Sequence, residues 1–203
     1  MKKFLLFLTA VVMSLGIVAC GGGSDSDKSS DGYDATELEE MEPEEIAVVG
    51  FLEAVKQADF AKINEYVTED DMMYSEDTTQ DNTEEKIILE NITYKIKSLV
   101  SLDTSEEGNE GKATVGVEIT NVDINTALQN YQQTVGEKTD MTKEEIIAFV
   151  KEAIAQNKDT TITKKVDIDV IQVDGQWKVQ TTEELIFALI GGFTGGGGIS
   201  IDR

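Results

Sequence analysis

Thr161-Ile162-Thr163-Lys164-Lys165-Val166-Asp167-Ile168-Asp169-Val170-Ile171-Gln172-Val173-Asp174-Gly175-Gln176-Trp177-Lys178-Val179 is the stretch from which the fold is read. Ile162, Val166, Ile168 and Val170 fall on one face of an extended strand, because side chains alternate with a period of two. Asp167 and Asp169 fall on the opposite face, where solvent exposure is their expected state. Asp174-Gly175 is the strongest hairpin signal in the chain, since a tight two-residue turn needs positive φ at both central positions. Trp177 and Val179 then lie on the returning strand.

Working outward, Ile92, Tyr94, Ile96, Val100 and Leu102 predict another half-buried strand. Ala113, Val115, Val117 and Ile119 predict its hairpin partner, across the polar run Asp103 to Gly111. Between the hairpins, Ile124, Leu128, Tyr131 and Val135 recur at helical spacing, and Gly136 can end that helix. Thr142 with Glu145 forms a capping box for a helix carrying Ile146, Phe149, Val150, Ala153 and Ile154. Upstream, Pro43 suits a first helical turn, and Ile46, Val49, Leu52 and Val55 mark one side of a helix from Glu44 to Ala58. Asp59 can cap a second helix with Phe60, Ile63 and Val67, and a short helix follows through Lys86 to Glu90. Downstream, Thr181 and Glu184 form a capping box for a short helix with Leu185, Ile186 and Leu189, stopped by Gly191-Gly192. Helices, hairpin, helices, hairpin, helix is an α+β order: an antiparallel curved sheet from two hairpins packed against helices. A single domain over residues 45–193 is expected.

The N-terminus carries a different message. Lys2-Lys3 precede an apolar run from Phe4 to Ala19, and Ile17-Val18-Ala19-Cys20 closes it with the chain's single cysteine. The run is shorter than the ~20 residues a membrane span needs. A basic start, a short apolar core and a small residue before the cut fit a cleaved signal. This looks like a bacterial lipoprotein signal: residues 1–19 are removed and Cys20 receives a diacylglycerol. Two acyl chains hold at a membrane where one only visits. Residues 20–44, rich in Gly, Ser and acid, read as the lipidated Cys and a flexible acidic tether. Residues 194–203, with Gly195 to Gly198, read as a Gly-rich flexible tail. The expected place is the outer face of the bacterial cytoplasmic membrane. Gly21 after Cys20 also permits an outer membrane where one exists.

The formal charge is −23, and there is no histidine. Nucleic-acid binding needs a basic face, and none is visible in the pattern. Without His and with Cys20 lipidated, Ser-His-Asp and Cys-His mechanisms and His- or Cys-ligated zinc are excluded within this chain. Carboxylate, Tyr and Lys chemistry or oxygen-ligated calcium remain. Asp103-Thr104-Ser105-Glu106-Glu107-Gly108 spaces acids and Gly much as a calcium loop does, but Thr114 stands where a bidentate Glu is required. The acidic run over 69–85 is a second, looser calcium candidate. No metal, cofactor or catalytic residue is assigned from the sequence.

Val117-Glu118-Ile119-Thr120-Asn121-Val122-Asp123, Asp174-Gly175-Gln176-Trp177-Lys178-Val179, and Glu184-Leu185 with Ala188-Leu189-Ile190-Gly191-Gly192-Phe193 occur in this order behind the Cys20 signal. With Phe51-Leu52-Glu53-Ala54-Val55-Lys56, they resemble a group of Gram-positive-type bacterial lipoproteins. The domain of that group has no assigned function and is similar to the nuclear-transport-factor-like, cone-shaped α+β fold. The resemblance implies a conical pocket closed by helices and transfers no catalytic residue. Tyr66, Tyr94, Tyr131 and Trp177 are the candidate pocket-lining residues, with Tyr74 beside them; core packing is the competing role for each. The expected function is a small-ligand or protein binding module, with partners in the membrane lipid through Cys20 and an unidentified small ligand or envelope protein. The alternatives are a small carboxylate- and Tyr-based isomerase, dehydratase or hydrolase, or a structural or accessory envelope protein.

Overall fold

The computed structural model describes residues 33, 35–71, 83–103, 111–136 and 140–193. In chain order these form helices α1 (Ala35–Glu39), α2 (Pro43–Lys56) and α3 (Phe60–Tyr66), a 3-10 turn (Glu69–Asp71) and helix α4 (Thr83–Leu89). Strands β1 (Thr93–Asp103) and β2 (Lys112–Val122) follow, then helices α5 (Ile124–Val135) and α6 (Lys143–Gln156). Strands β3 (Thr161–Val173) and β4 (Gln176–Val179) and helix α7 (Glu183–Leu189) close the series. Cys20, the signal reading over 1–19 and the tail reading over 194–203 fall outside the described residues.

The α+β class holds. The four strands form one open antiparallel sheet in the order β1-β2-β3-β4, so the two hairpins lie side by side and β2 pairs β3 from Lys112↔Ile171 to Val122↔Thr161. Asp174 and Gly175 take φ of 51° and 79°, the pair of positive values that a tight β3–β4 turn demands. Val115, Val117, Ile119, Val166, Ile168 and Val170 turn inward and are buried. Asp167 and Asp169 face outward and are exposed, as expected.

Helix α2 fills the inner face. Its capping box joins Glu42 and Glu45, and Pro43 opens it where a missing N–H costs nothing. The expected face was Ile46, Val49, Leu52 and Val55. Instead burial runs almost round the helix, with Val48, Phe51, Leu52 and Val55 at or below 1% exposure and Ile46 only half-buried. A helix hydrophobic on most sides is a central element, sandwiched between the sheet and other helices, and a single-stripe reading misplaces its face. Together α2, α3, α7 and the sheet enclose the main core. A second, smaller core joins Ile88 of α4, Ile124 and Ala127 of α5, Val150 and Ile154 of α6, Val122 and Phe193.

Four local expectations change. β1 carries two register irregularities, between Ile96 and Ser98 and between Leu99 and Ser101. The first extra residue flips the side-chain phase, so Leu99 is half-buried against the core while Val100 is 55% exposed; the second restores it, and Leu102, opposite Ala113 near the end of the strand, is still 48% exposed. Val67 leaves α3 and becomes extended, bridging Val179 in parallel beyond β4. The cap of α7 is Thr182, whose side chain accepts from Leu185 N–H at 3.1 Å. Thr181 is engaged elsewhere: its N–H and hydroxyl both lie 3.3 Å from an Asp71 carboxylate oxygen. Within the stretch read as a tether, α1 is helical, and the Tyr33 hydroxyl accepts from Ile96 N–H at 2.6 Å. The aromatic ring finds a partner in Tyr94, with centroids 5.9 Å apart.

Candidate functional site

The strand-to-helix junction at the end of β2 organises the region of interest. Asn121 is buried at 1% exposure, and its amide donates to Leu189 C=O at 2.7 Å and Ile88 C=O at 3.3 Å. Its side-chain carbonyl accepts from Val122 N–H at 2.7 Å. One side chain therefore ties β2 to the last residues of both α4 and α7. Asp123 caps α5 by accepting from Thr126 N–H at 3.0 Å, and Asn125 donates to Gly192 C=O at 2.7 Å. Gly191 has φ +63°, and a Cβ there would sit 2.1 Å from Val122 O, so only glycine fits this approach. Thus segments 117–123 and 184–193 are tied to each other by a backbone-directed hydrogen bond.

That junction holds open a groove beside the second core. Ile88, Ile124, Leu128, Val150, Ile190 and Phe193 line it, with Glu84 and Glu85 from the first turn of α4. Its volume is ≈ 50 Å³. That exceeds the ~10–15 Å³ that admits a water and falls well short of the roughly 300–1,000 Å³ of a drug-sized pocket. The groove therefore suits the tip of an apolar side chain or a short alkyl group. Apolar carbon forms its walls, and the two half-buried glutamates give it a negative side.

The four candidate pocket residues are not brought together. Tyr94, Tyr66 and Trp177 pack against the main core. Tyr94 sits opposite Ile119 on β2, whereas Trp177 pairs with Gln172 and lies against Gly111 just beyond the far end of β2. The run from Gly111 to Ile119 spans about 27 Å at roughly 3.4 Å per residue, so these two rings cannot line one small cavity. The ring of Tyr66 lies over Gly50 of α2. Tyr131 lies apart, edge-on to Phe149 at 4.8 Å between α5 and α6. Tyr74 lies outside the described residues.

Tyr94 does form a polar cluster that sequence spacing gives no sign of. Its hydroxyl donates to Glu53 Oε1 at 2.7 Å, and Tyr33 stacks beside it. Burial, then the negative charge of Glu53, push the Tyr94 phenol far above its ordinary range. Burial also raises Tyr33, against the lowering effect of the Ile96 N–H it accepts, and it raises Tyr66. These phenols stay protonated near neutrality and act as hydrogen-bond donors or acceptors, not as proton shuttles. Tyr33 was missed because it stands alone in an acidic, Gly- and Ser-rich stretch; the aromatic in such surroundings was the available signal.

Among the described residues, no group of three or more His, Cys, Asp or Glu side chains is placed to hold a metal ion. Residues 104–108 of the first calcium candidate and 72–82 of the second lie outside the described residues. Among the described residues, no helix is long and apolar enough to cross a membrane. Neither a protein-family model nor a curated protein matches this chain.

Proposed function

We propose that this chain is a lipid-anchored extracytoplasmic protein whose α+β domain is a binding module. The observation that carries the binding role is the open apolar groove between α4, α5, α6 and the 190–193 segment, with glutamates on one side. Such a site takes a small apolar group with an adjoining positive charge, presented by a small ligand or an envelope protein. The Cys20 signal supports the anchored location. The finer fold reading, a nuclear-transport-factor-like cone, draws support from helices gathered on one face of the antiparallel sheet and from Val67 extending it beyond β4.

Two measurements test this reading. Cys20→Ser leaves the protein uncleaved or mislocalised on cell fractionation; a processed, membrane-fractionating Ser variant would sink the anchor. n-Octylammonium raises the melting temperature of the full chain, because a ligand bound only to the folded state stabilises it by about 2.7 kcal/mol at a hundredfold excess over Kd. No shift at any concentration below the detergent range of the probe ends the groove reading.

A second reading, a small carboxylate- and Tyr-based enzyme, is favoured by the Glu53–Tyr94 pair alone. Turnover of a substrate abolished by Glu53→Gln with the fold intact would establish it over the binding role.

A further inference from the structure

We propose that the β1 edge of the sheet faces the membrane, where Lys95, Lys97 and Lys165 meet the phosphate headgroups of anionic lipid. The inference rests on Cys20 carrying the anchor and adds which surface the anchor presents. Cross-strand pairing assembles the patch. Lys95 pairs with Glu118 on β2, and Glu118 pairs with Lys165 on β3, so one row of the outer sheet face runs Lys, Glu, Lys. Lys97 reaches the same Glu118 at 3.2 Å. Three exposed lysines thus surround one half-buried glutamate in a chain of net charge −23. Thr93, Thr120 and Thr163 form the adjoining row and add hydroxyls, while Asp167, paired with Gly116, bounds the patch on its other side. Charges more than about 8 Å away are largely screened at physiological salt, so the local excess of cations governs contact with a charged surface.

The path of the chain brings the anchor to this same edge. Tyr33 docks on β1 by accepting from the N–H of Ile96, the residue between Lys95 and Lys97. The acids that act on Tyr33, Glu37 and Glu45, belong to α1 and α2, so the basic side of this edge is the outer sheet face. Tyr33 lies thirteen residues after Cys20, which limits its distance from the lipidated residue to roughly 45 Å. Were the domain held only from Pro43, the reach would be about 80 Å and any face could turn to the lipid. A domain of this size is about 40 Å across, so the shorter reach favours the surface around Tyr33. At that range a weak contact suffices, because the anchor supplies the effective concentration.

The test uses the lipidated protein taken from membranes and reconstituted into phosphatidylcholine vesicles containing phosphatidylglycerol and a headgroup-spin-labelled lipid. The wild-type protein takes up no thiol-reactive fluorophore, because the anchor blocks its single cysteine. Ser98→Cys sets a fluorophore within the patch, and Gln156→Cys sets one at an exposed position on α6, on the helical side. The membrane contact predicts quenching of the Ser98 label about threefold or more above that of the Gln156 label. Combining Lys95→Gln, Lys97→Gln and Lys165→Gln brings the ratio close to one, as does omitting phosphatidylglycerol, since each lysine at an anionic surface contributes on the order of fivefold. Tyr33→Ala roughly halves the ratio, because the reach of the anchor then about doubles; an unchanged ratio overturns the dock.

Equal quenching of the two labels while the protein floats with the vesicles overturns the surface and leaves the anchor standing. Fluorophore uptake by the wild-type protein reveals a free Cys20 and overturns both. Equal quenching in vesicles, together with a fluorescence change of the Ser98 label on adding soluble poly(glycerol phosphate), assigns the patch to a phosphate polymer and overturns the membrane contact.

Discussion

At the scale of single residues, Gly50 and Asn121 show how much one side chain decides. Gly50 sits inside α2, where glycine costs about 0.5–1 kcal/mol relative to alanine. Yet a Cβ there would come 2.5 Å from the Tyr66 ring. Gly50→Ala is therefore expected to destabilise by about 1–2 kcal/mol, the usual scale of overpacking. In a Tyr66→Ala background the same change is expected to stabilise by about 0.5–1 kcal/mol, because only the helix-propensity gain remains. Urea unfolding of the four proteins checks the reversal of sign; the same sign in both backgrounds refutes the contact. Asn121→Ala strands the Val122 N–H and the Leu189 C=O in a dry environment, so a loss of about 2–4 kcal/mol is expected. A loss under ~1 kcal/mol would mean that the junction relaxes and Asn121 is no clamp.

At the scale of elements, β1 is where sequence alternation and structure part. Ile92, Tyr94 and Ile96 keep the expected phase, and the partner strand β2 is regular through Ala113, Val115, Val117 and Ile119. The irregularities after Ile96 and Leu99 then exchange the inward and outward roles of Leu99 and Val100. Bulges and charged residues such as Lys95 and Lys97 are also how an edge strand avoids pairing with another chain. Leu99→Ala is expected to cost about 1–2 kcal/mol and Val100→Ala less than about 0.5 kcal/mol, as measured by chemical denaturation. The opposite order would restore the unbroken alternation. The helices were more legible: the Thr142–Glu145 capping box, the Asp59 cap and the Gly136 stop are all present. Caps are local hydrogen bonds between residues three apart, so sequence spacing alone specifies them. The one-residue slip at Thr182 arose because Thr181 is held by Asp71, far away in sequence.

At the scale of the whole molecule, the buried phenols set an alkaline limit. The folded state holds the Tyr94 proton to higher pH than the unfolded chain, whose phenol titrates near 10.0. Below that pH both states carry the proton and stability does not depend on it. Above it the unfolded chain releases a proton that the folded chain keeps, so stability falls as pH rises, by up to about 1.4 kcal/mol per pH unit for each such group. Tyr33 and Tyr66 act in the same direction. Urea midpoints measured from pH 8 to 11 should decline above 10, and Tyr94→Phe should make that decline shallower. An unchanged slope in the Phe variant would show that Tyr94 is not the group responsible.

The sequence by itself determined the α+β class, the two hairpins and most helix limits, since each rests on periodicity or on contacts a few residues apart. The outward placement of Asp167 and Asp169 was legible for the same reason. Only the tertiary structure decided that Tyr94 and Trp177 sit at opposite ends of the sheet, that Tyr33 docks on β1, and that Ile88, Leu128, Val150 and Phe193 meet around one groove. Those partners come from elements distant in the chain, and no pattern within a short window encodes which apolar faces will be left partly uncovered once the helices have packed.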